Sequence, residues 1–259
     1  MNELKKFNWP GWLVLGAALL VWELGARVTP KLQLYFPPIS QILAALAQAI
    51  FSGPIAAHFA VTVGRFLQGY LLAAALAVTF GVVLGYFRFL HGLLATVIEL
   101  LRPMPSVAII PVAILLLGIG DPMIVAVTVY ASLWPILINT IDGVRNIDST
   151  LIDTGQTFGL GRGQILWHII LPGASPYIVT GLRIGLSIAL ILVTTAEMIA
   201  GSKGLGYFIL DEERGMNSAN MYAGIVVVAL LGYLLNRLFL ILEAKAMRWR
   251  HGMMARVAA

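Results

Sequence analysis

Along the chain, long apolar runs alternate with short polar stretches. A helix rising 1.5 Å per residue needs about 20 mainly apolar residues to cross a bilayer. About six segments meet that requirement: 10–28, 65–87, 92–118, 122–142, 174–200 and 221–243. The third contains RPMPSVAIIP (102–111), whose Pro103, Pro105 and Pro111 lack backbone donors and must kink or break the helix. Such a break within a membrane has to be covered by neighbouring protein or by a water-filled cavity. After the first run, PPISQILAALAQAI (37–50) opens with prolines suited to a helix start and sets Ile39, Leu43, Leu46 and Ile50 at helical spacing. That pattern predicts a helix lying along the outer surface. A second outer segment, 201–220, carries Asp211, Glu212 and Glu213. The pattern gives an all-α membrane protein, a single transmembrane domain over 1–259 without an internal repeat.

Composition supports this reading. The chain is 59% hydrophobic and 11% charged, whereas soluble domains carry about 25% charged residues. With no cysteine, disulfides, thiolate zinc sites and a cysteine nucleophile are excluded. His58, His91, His168 and His251 are far apart and no HExxH occurs, so no metal site is indicated. The net charge of +5 follows from topology. With both termini in the cytoplasm, Lys5, Lys6, Arg88, Arg102, Arg145, Arg162, Arg183, Arg237, Lys245, Arg248, Arg250 and Arg256 lie inside. Arg27, Lys31, Arg65, Lys203 and Arg214 lie outside, a bias of twelve to five. No basic run is interleaved with aromatics, which argues against nucleic acid. Lys5 and Lys6 precede an apolar run that is bracketed by Trp9, Trp12 and Trp22 and followed by no A-x-A site, as in an uncleaved first span.

Several short motifs invite a catalytic reading and fail it. GLGRG (159–163) is glycine-rich, but a phosphate-binding loop needs a Gly-Lys pair after a strand, and the chain has no Gly-Lys pair. GIGD (118–121) spells the GxGD of intramembrane aspartyl proteases, a chemistry that requires two aspartates sharing a proton. No aspartate precedes Asp121, which beside Pro122 reads as an ordinary turn residue. GxSG is absent.

Charges in or near the spans are costly and therefore informative. Glu23, Glu99, Arg102, Asn139, Arg183 and Glu197 occupy such positions. Glu99 and Arg102 can pair across one helical turn, either as a structural pair or beside a solute path at the Pro103–Pro105 break. Glu99, Arg102, Asn139, Arg183 and Glu197 are the candidates for that path. Arg65, Arg102 and Arg183 could favour an anionic solute along it. Gly81/Gly85 and Gly181/Gly185 permit close helix contact, within the chain or at a dimer interface.

One stretch, LIDTGQTFGLGRGQILWHIILP (151–172), is too polar to span and too patterned for a slack connector. Asp153–Phe158 can form a short helix with Leu151, Gly155 and Phe158 on one side. Gly159 and Gly161 supply a turn that tolerates positive φ. Arg162–Ile170 can form a second helix, with Pro172 starting the next span. The result is a cytoplasmic helix-turn-helix knob; the plain alternative is an amphipathic connector.

Asp153-Thr154-Gly155, then three residues, Gly159, nine residues and Ile169-x-Leu171-Pro172 resemble the EAA loop of ABC importer permeases, EAA-x3-G-x9-I-x-LP. Asp replaces the Glu, and Thr-Gly the Ala-Ala. ELLRPMPSVAIIPVAILLLGIG (99–120), LPGASPYIVTGLRIGLSIAL (171–190) and AEMIAGSKGLGYFI (196–209) resemble the nitrate/sulfonate/taurine subgroup, and the similarity runs from about residue 35 to 245. The resemblance implies a type I ABC importer permease-like fold that carries a small anion through the inner membrane and is not itself an enzyme. It implies a second copy of the chain, two ATP-binding subunits that hold ATP and Mg, and a periplasmic or surface solute-binding protein docking at 37–50 and 201–220. Coupling to the ATPases would fall to Asp153, Thr154, Gly155, Phe158, Gly159, Leu160, Gly161, Arg162 and Pro172, with Asp153 favouring the N-terminal dipole of the first short helix. An ion-coupled secondary transporter using Glu99 or Glu197 is the alternative, and a GxGD protease the remote one.

Overall fold

The computed structural model describes residues 9–29, 33–51 and 53–247. The expectations placed on Lys5, Lys6, Lys31, Arg248, Arg250 and Arg256 fall outside the described residues. The described residues form eleven helices: α1 (Trp9–Val28), α2 (Ile39–Phe51), α3 (Ile55–Tyr86), α4 (Arg88–Leu101), α5 (Ile110–Leu117), α6 (Asp121–Arg145), α7 (Ser149–Thr157), α8 (Arg162–Ile165), α9 (Leu171–Ala200), α10 (Leu205–Arg214) and α11 (Ser218–Ala246). Five helices are long and apolar enough to cross a membrane, and a sixth crossing comes from the bent α4–α5 pair.

The central helix is α6, and glycines fix how its neighbours meet it. A Cβ on Gly69, Gly81 or Gly85 of α3 would strike Thr128, Thr140 or Val144 of α6, respectively. Both members of these pairs advance together, so α3 and α6 run parallel. On α9, Gly181 and Gly185 abut Asn139 and Ile136, while Gly143 of α6 abuts Tyr177 of α9. These numbers run in opposite senses, so α9 is antiparallel to α6. Lipid tails are as apolar as leucine, so close fit holds such helices together more than transfer from water does. Both glycine pairs are therefore spent inside one chain, not at a dimer interface. Around them Phe66, Met123, Ile124, Ile136 and Val193 are buried, whereas α1 and α11 leave most of their apolar faces exposed.

Two parallel helices in sequence require the chain to cross back between them, and the broken third span does this. It was expected over 92–118, kinked or broken at its prolines; it is broken, α4 ending at Leu101 and α5, with a 3-10 turn over Ser106–Ile109, leaving at 90°. Proline explains the break. In a continuous helix residue 105 would donate to the carbonyl of Leu101, and Pro105 has no N–H. Tyr130 of α6 instead donates its hydroxyl to that carbonyl at 2.8 Å. Tyr130 lies nine residues into α6, about 14 Å from its start, so the exposed break stands more than a third of the way along that helix. Pro111 falls in the first turn of α5, where a missing donor costs nothing.

Two further expectations change. The second span was expected from 65, but α3 begins ten residues earlier at Ile55, because Arg65 is paired rather than marking an end. On α2 the buried residues are Ile42 and Ala49, with Leu43 and Ile50 exposed. The apolar stripe could not choose the inner face because the side turned to lipid is apolar too. Glu23 of α1, also ion-paired to Arg27, orients α2 by accepting the Ser40 amide at 3.1 Å and the Ser40 hydroxyl at 2.9 Å, satisfying a first-turn donor.

Candidate functional site

The stretch 149–172 forms a compact knob at the end of the bundle where α3 and α6 finish. Asp148 caps α7 by accepting the Thr150 amide at 2.9 Å, and that bond holds its carboxyl below the ordinary carboxylate value. The first short helix therefore starts at Ser149, and Asp153 sits in its middle, away from the N-terminal dipole. Gly155 is buried, whereas Leu151 and Phe158, toward the two ends of the short helix, are exposed. Against Gly155 lies Ile169, whose Cδ1 is 2.6 Å from where a Cβ would stand. The Thr-Gly for Ala-Ala substitution thus falls on the closest approach between α7 and the returning strand of chain.

The turn itself relies on Gly159 at φ 77. Gly161, expected to share that role, instead has φ −70 and caps α8, its amide donating to Gln164 Oε1 at 2.9 Å. Beneath the turn, Val144, Ile165, Ile170 and Ala174 are buried, with Ile147, Ile152, Leu160 and Ile169 packed on them. On the outside, Phe158 is 81% and Trp167 69% exposed, with Asp153, Thr154 and Arg162 also outward.

Pro172 stands in the first turn of α9, as expected, but α9 continues the helical path of α8. From Arg162 to Ala200 the chain is one helical run of 39 residues. A proline ring collides with the carbonyl four residues earlier, and the π-helical turn over Leu166–Ile170 opens the helix just there. Pro176 frees the Pro172 carbonyl in turn, and Ser175 Oγ donates to it at 2.8 Å.

The opposite end of the bundle carries a polar cluster that sequence reasoning did not assemble. Glu197 of α9 is 0% exposed. Its carboxylate accepts from Thr62 Oγ1 at 2.8 Å, Arg65 Nη1 at 2.9 Å and the Gly206 amide at 3.0 Å. Arg65 also donates Nε to Asp121 at 2.9 Å and Nη1 to the Lys203 carbonyl at 2.7 Å. Thr62 accepts the Leu205 amide, and His58 accepts that of Gly204. Four helices (α3, α6, α9 and α10) are thereby joined. Gly204 (φ 111) and Gly206 bring the backbone against the Glu197 region, where a Cβ on either would collide. Arg65 is therefore already neutralised, and Glu197 is closed in.

The other candidates are distributed differently. Glu99 and Arg102 are exposed near the α4 break, with no ion pair joining them among the described residues. Asn139 donates to the Pro135 carbonyl of its own helix at 2.8 Å, and Arg183 is exposed on α9. The five do not form one cluster. Outside, α2, α10 and α11 enclose a cavity of about 550 Å³ that is lined by Gln41, Gln48, Glu212, Asn217 and Asn220 among others.

Comparison with known proteins gives three results. Residues 77–248 match the family described as "Binding-protein-dependent transport system inner membrane component". The taurine transport system permease protein TauC of Escherichia coli is 30% identical over 92% of this chain and 88% of its own length. The nitrate import permease protein NrtB of Synechocystis is 30% identical over 70% of this chain and 66% of its own. Among solved structures, an inward-facing form of the MetNI methionine ABC transporter superposes at a TM-score of 0.60 with 20% identity. It covers 73% of this chain and 96% of that one, a likeness of fold.

Proposed function

The chain belongs to the family of binding-protein-dependent transport system inner membrane components, and from that premise we propose how it performs the permease's part. As a multi-pass permease subunit of an ABC importer, it passes solute while partner subunits bind ATP and Mg. Two copies form the pathway, and the 149–172 knob seats in a groove on each ATPase. The observation that carries this is the knob's construction: an apolar underside fixed to the bundle, with Phe158 raised and exposed beside the Gly159 turn. A slack connector would need neither.

The cytoplasmic placement of the knob and of both termini rests on the twelve-to-five bias of basic residues. On the other side, the acidic α10 and the polar cavity beside α2 suit a soluble solute-binding protein. The solute we propose is a small anion of the sulfonate, taurine or nitrate kind, which the two relatives' names and the sequence resemblance support. Arg102 and Arg183 are the exposed cations available to it within the bundle; Arg65 is not, because its guanidinium is already paired.

Reconstituted uptake tests this reading. Proteoliposomes holding the chain, its ATPase and binding protein should accumulate solute with ATP and show no uptake with a proton gradient alone. Gly159→Val, which forces a branched side chain to positive φ, should leave the complex assembled while ATP hydrolysis no longer drives uptake. Gradient-driven uptake without ATP would establish the secondary transporter instead, and unchanged coupled uptake in Gly159→Val would remove the knob assignment.

A further inference from the structure

Between the knob and the ends of α3 and α6 lies a cavity of about 300 Å³, part of whose wall is the knob itself. Arg88, Arg145 and Arg162 line it together with Tyr86, Ser149 and Gln156. Among the described residues, none of these arginines makes an ion pair. Arg145 hydrogen-bonds to the His91 ring, and Asp148 accepts the Thr150 amide. Three guanidiniums without an ion pair at the edge of one small space raise a positive potential there that attracts an anion.

The position and the walls narrow the kind of anion. Arg88 opens α4 directly after the long α3, and Arg145 is the last residue of α6. Both sit where membrane spans end, at the level of lipid headgroups. The rest of the wall is apolar, from Val144, Ile152 and Ile170. Phe87 and Phe89, on either side of Arg88, are 51% and 76% exposed, so the rim continues into surface suited to acyl chains. A carboxylate from a docked protein would need the cations but not this apolar continuation. We propose that the cavity is a binding site for the phosphodiester headgroup of an anionic phospholipid, its glycerol and first methylenes lying against the apolar wall. This inference stands independently of which solute is carried.

The test uses the full chain purified from membranes with whatever subunits accompany it. The complex is placed in nanodiscs containing phosphatidylglycerol or phosphatidylcholine with identical acyl chains, then released and weighed by native mass spectrometry. One phosphatidylglycerol per permease chain should survive release, while phosphatidylcholine should not. Arg88→Gln/Arg145→Gln should lower phosphatidylglycerol retention by at least about tenfold. Arg88→Lys/Arg145→Lys should keep most of it, which separates charge from folding. Equal retention of the two lipids by the unaltered chain would overturn the proposal without recourse to any variant. Displacement of the lipid by 10 mM inorganic phosphate would assign the cavity to a free anion instead. Loss of the ATPase from the Gln variant with lipid retention unchanged would make it a protein-docking surface.

Discussion

Replacing Arg65 with methionine removes the cation that is ion-paired to the fully buried Glu197. The cost divides unequally between its two carboxylate partners. Asp121 keeps 69% of its side chain in contact with the surroundings, so it can be resolvated and loses little. Glu197 is 0% exposed and cannot. It retains Thr62 and the Gly206 amide but is left as an uncompensated buried charge, a situation that costs about 3–5 kcal/mol. Arg65→Met/Glu197→Met removes the stranded charge as well. It leaves the Thr62 hydroxyl and Gly206 amide without an acceptor, at about 1–3 kcal/mol. The double variant should therefore be no less stable than Arg65→Met alone, with a coupling of at least about 2 kcal/mol between the sites. Denaturant titration of the purified chain in mixed detergent micelles, followed by tryptophan fluorescence, measures all four corners of the cycle. An Arg65→Met chain within about 1 kcal/mol of the parent, or additive single effects, would refute the reasoning.

Two other substitutions separate tight contacts that can yield from those that cannot. Gly81→Ala meets Thr140 Cβ at 2.6 Å on a neighbouring helix and should destabilise by about 1–3 kcal/mol in the same titration. Gly155→Ala crowds the flexible end of Ile169 and otherwise makes ordinary contacts with Leu160 and Ile165, and alanine favours the helix, so it should lie within about 1 kcal/mol of the parent. For Asp148, bonding to the Thr150 amide depresses the folded-state pKa, so its contribution to the knob is present above the ordinary carboxylate value and is lost as pH falls through the folded-state value. The protection factor at Thr150 and Leu151, the intrinsic exchange rate at each pH divided by the observed rate, should fall on acidification in the parent but not in Asp148→Asn, which keeps the cap without the titration.

The spans were legible because bilayer thickness imposes length and apolarity on each one separately. The knob was legible as a unit because its glycines and Ile169-x-Leu171-Pro172 fall at characteristic spacings. Directions of faces were less legible. Ile42 rather than Leu43 faces inward because lipid and protein interior are equally apolar, and polarity therefore cannot rank the two sides of α2. The start of α7 was misplaced because Asp148 and Asp153 are both plausible caps, and only Asp148 has a free amide two residues ahead. The Arg65–Asp121–Glu197 cluster left a usable signal: one base and two acids at the outer ends of three different predicted spans. Treating each charge by itself, as a span-end cation, a turn residue and a path residue, concealed that they share one depth.

The continuous run from Arg162 to Ala200 has a mechanical consequence. It behaves as a lever pressed against α6 at Gly181 and Gly185, close to its midpoint. The arm toward Ile165 is about 27 Å and the arm toward Glu197 about 21 Å, so a tilt of about 5° moves the two ends by roughly 2 Å in opposite directions. With the fulcrum there, a push that narrows one mouth of the bundle widens the other, to the extent that the π-helical turn over Leu166–Ile170 transmits it.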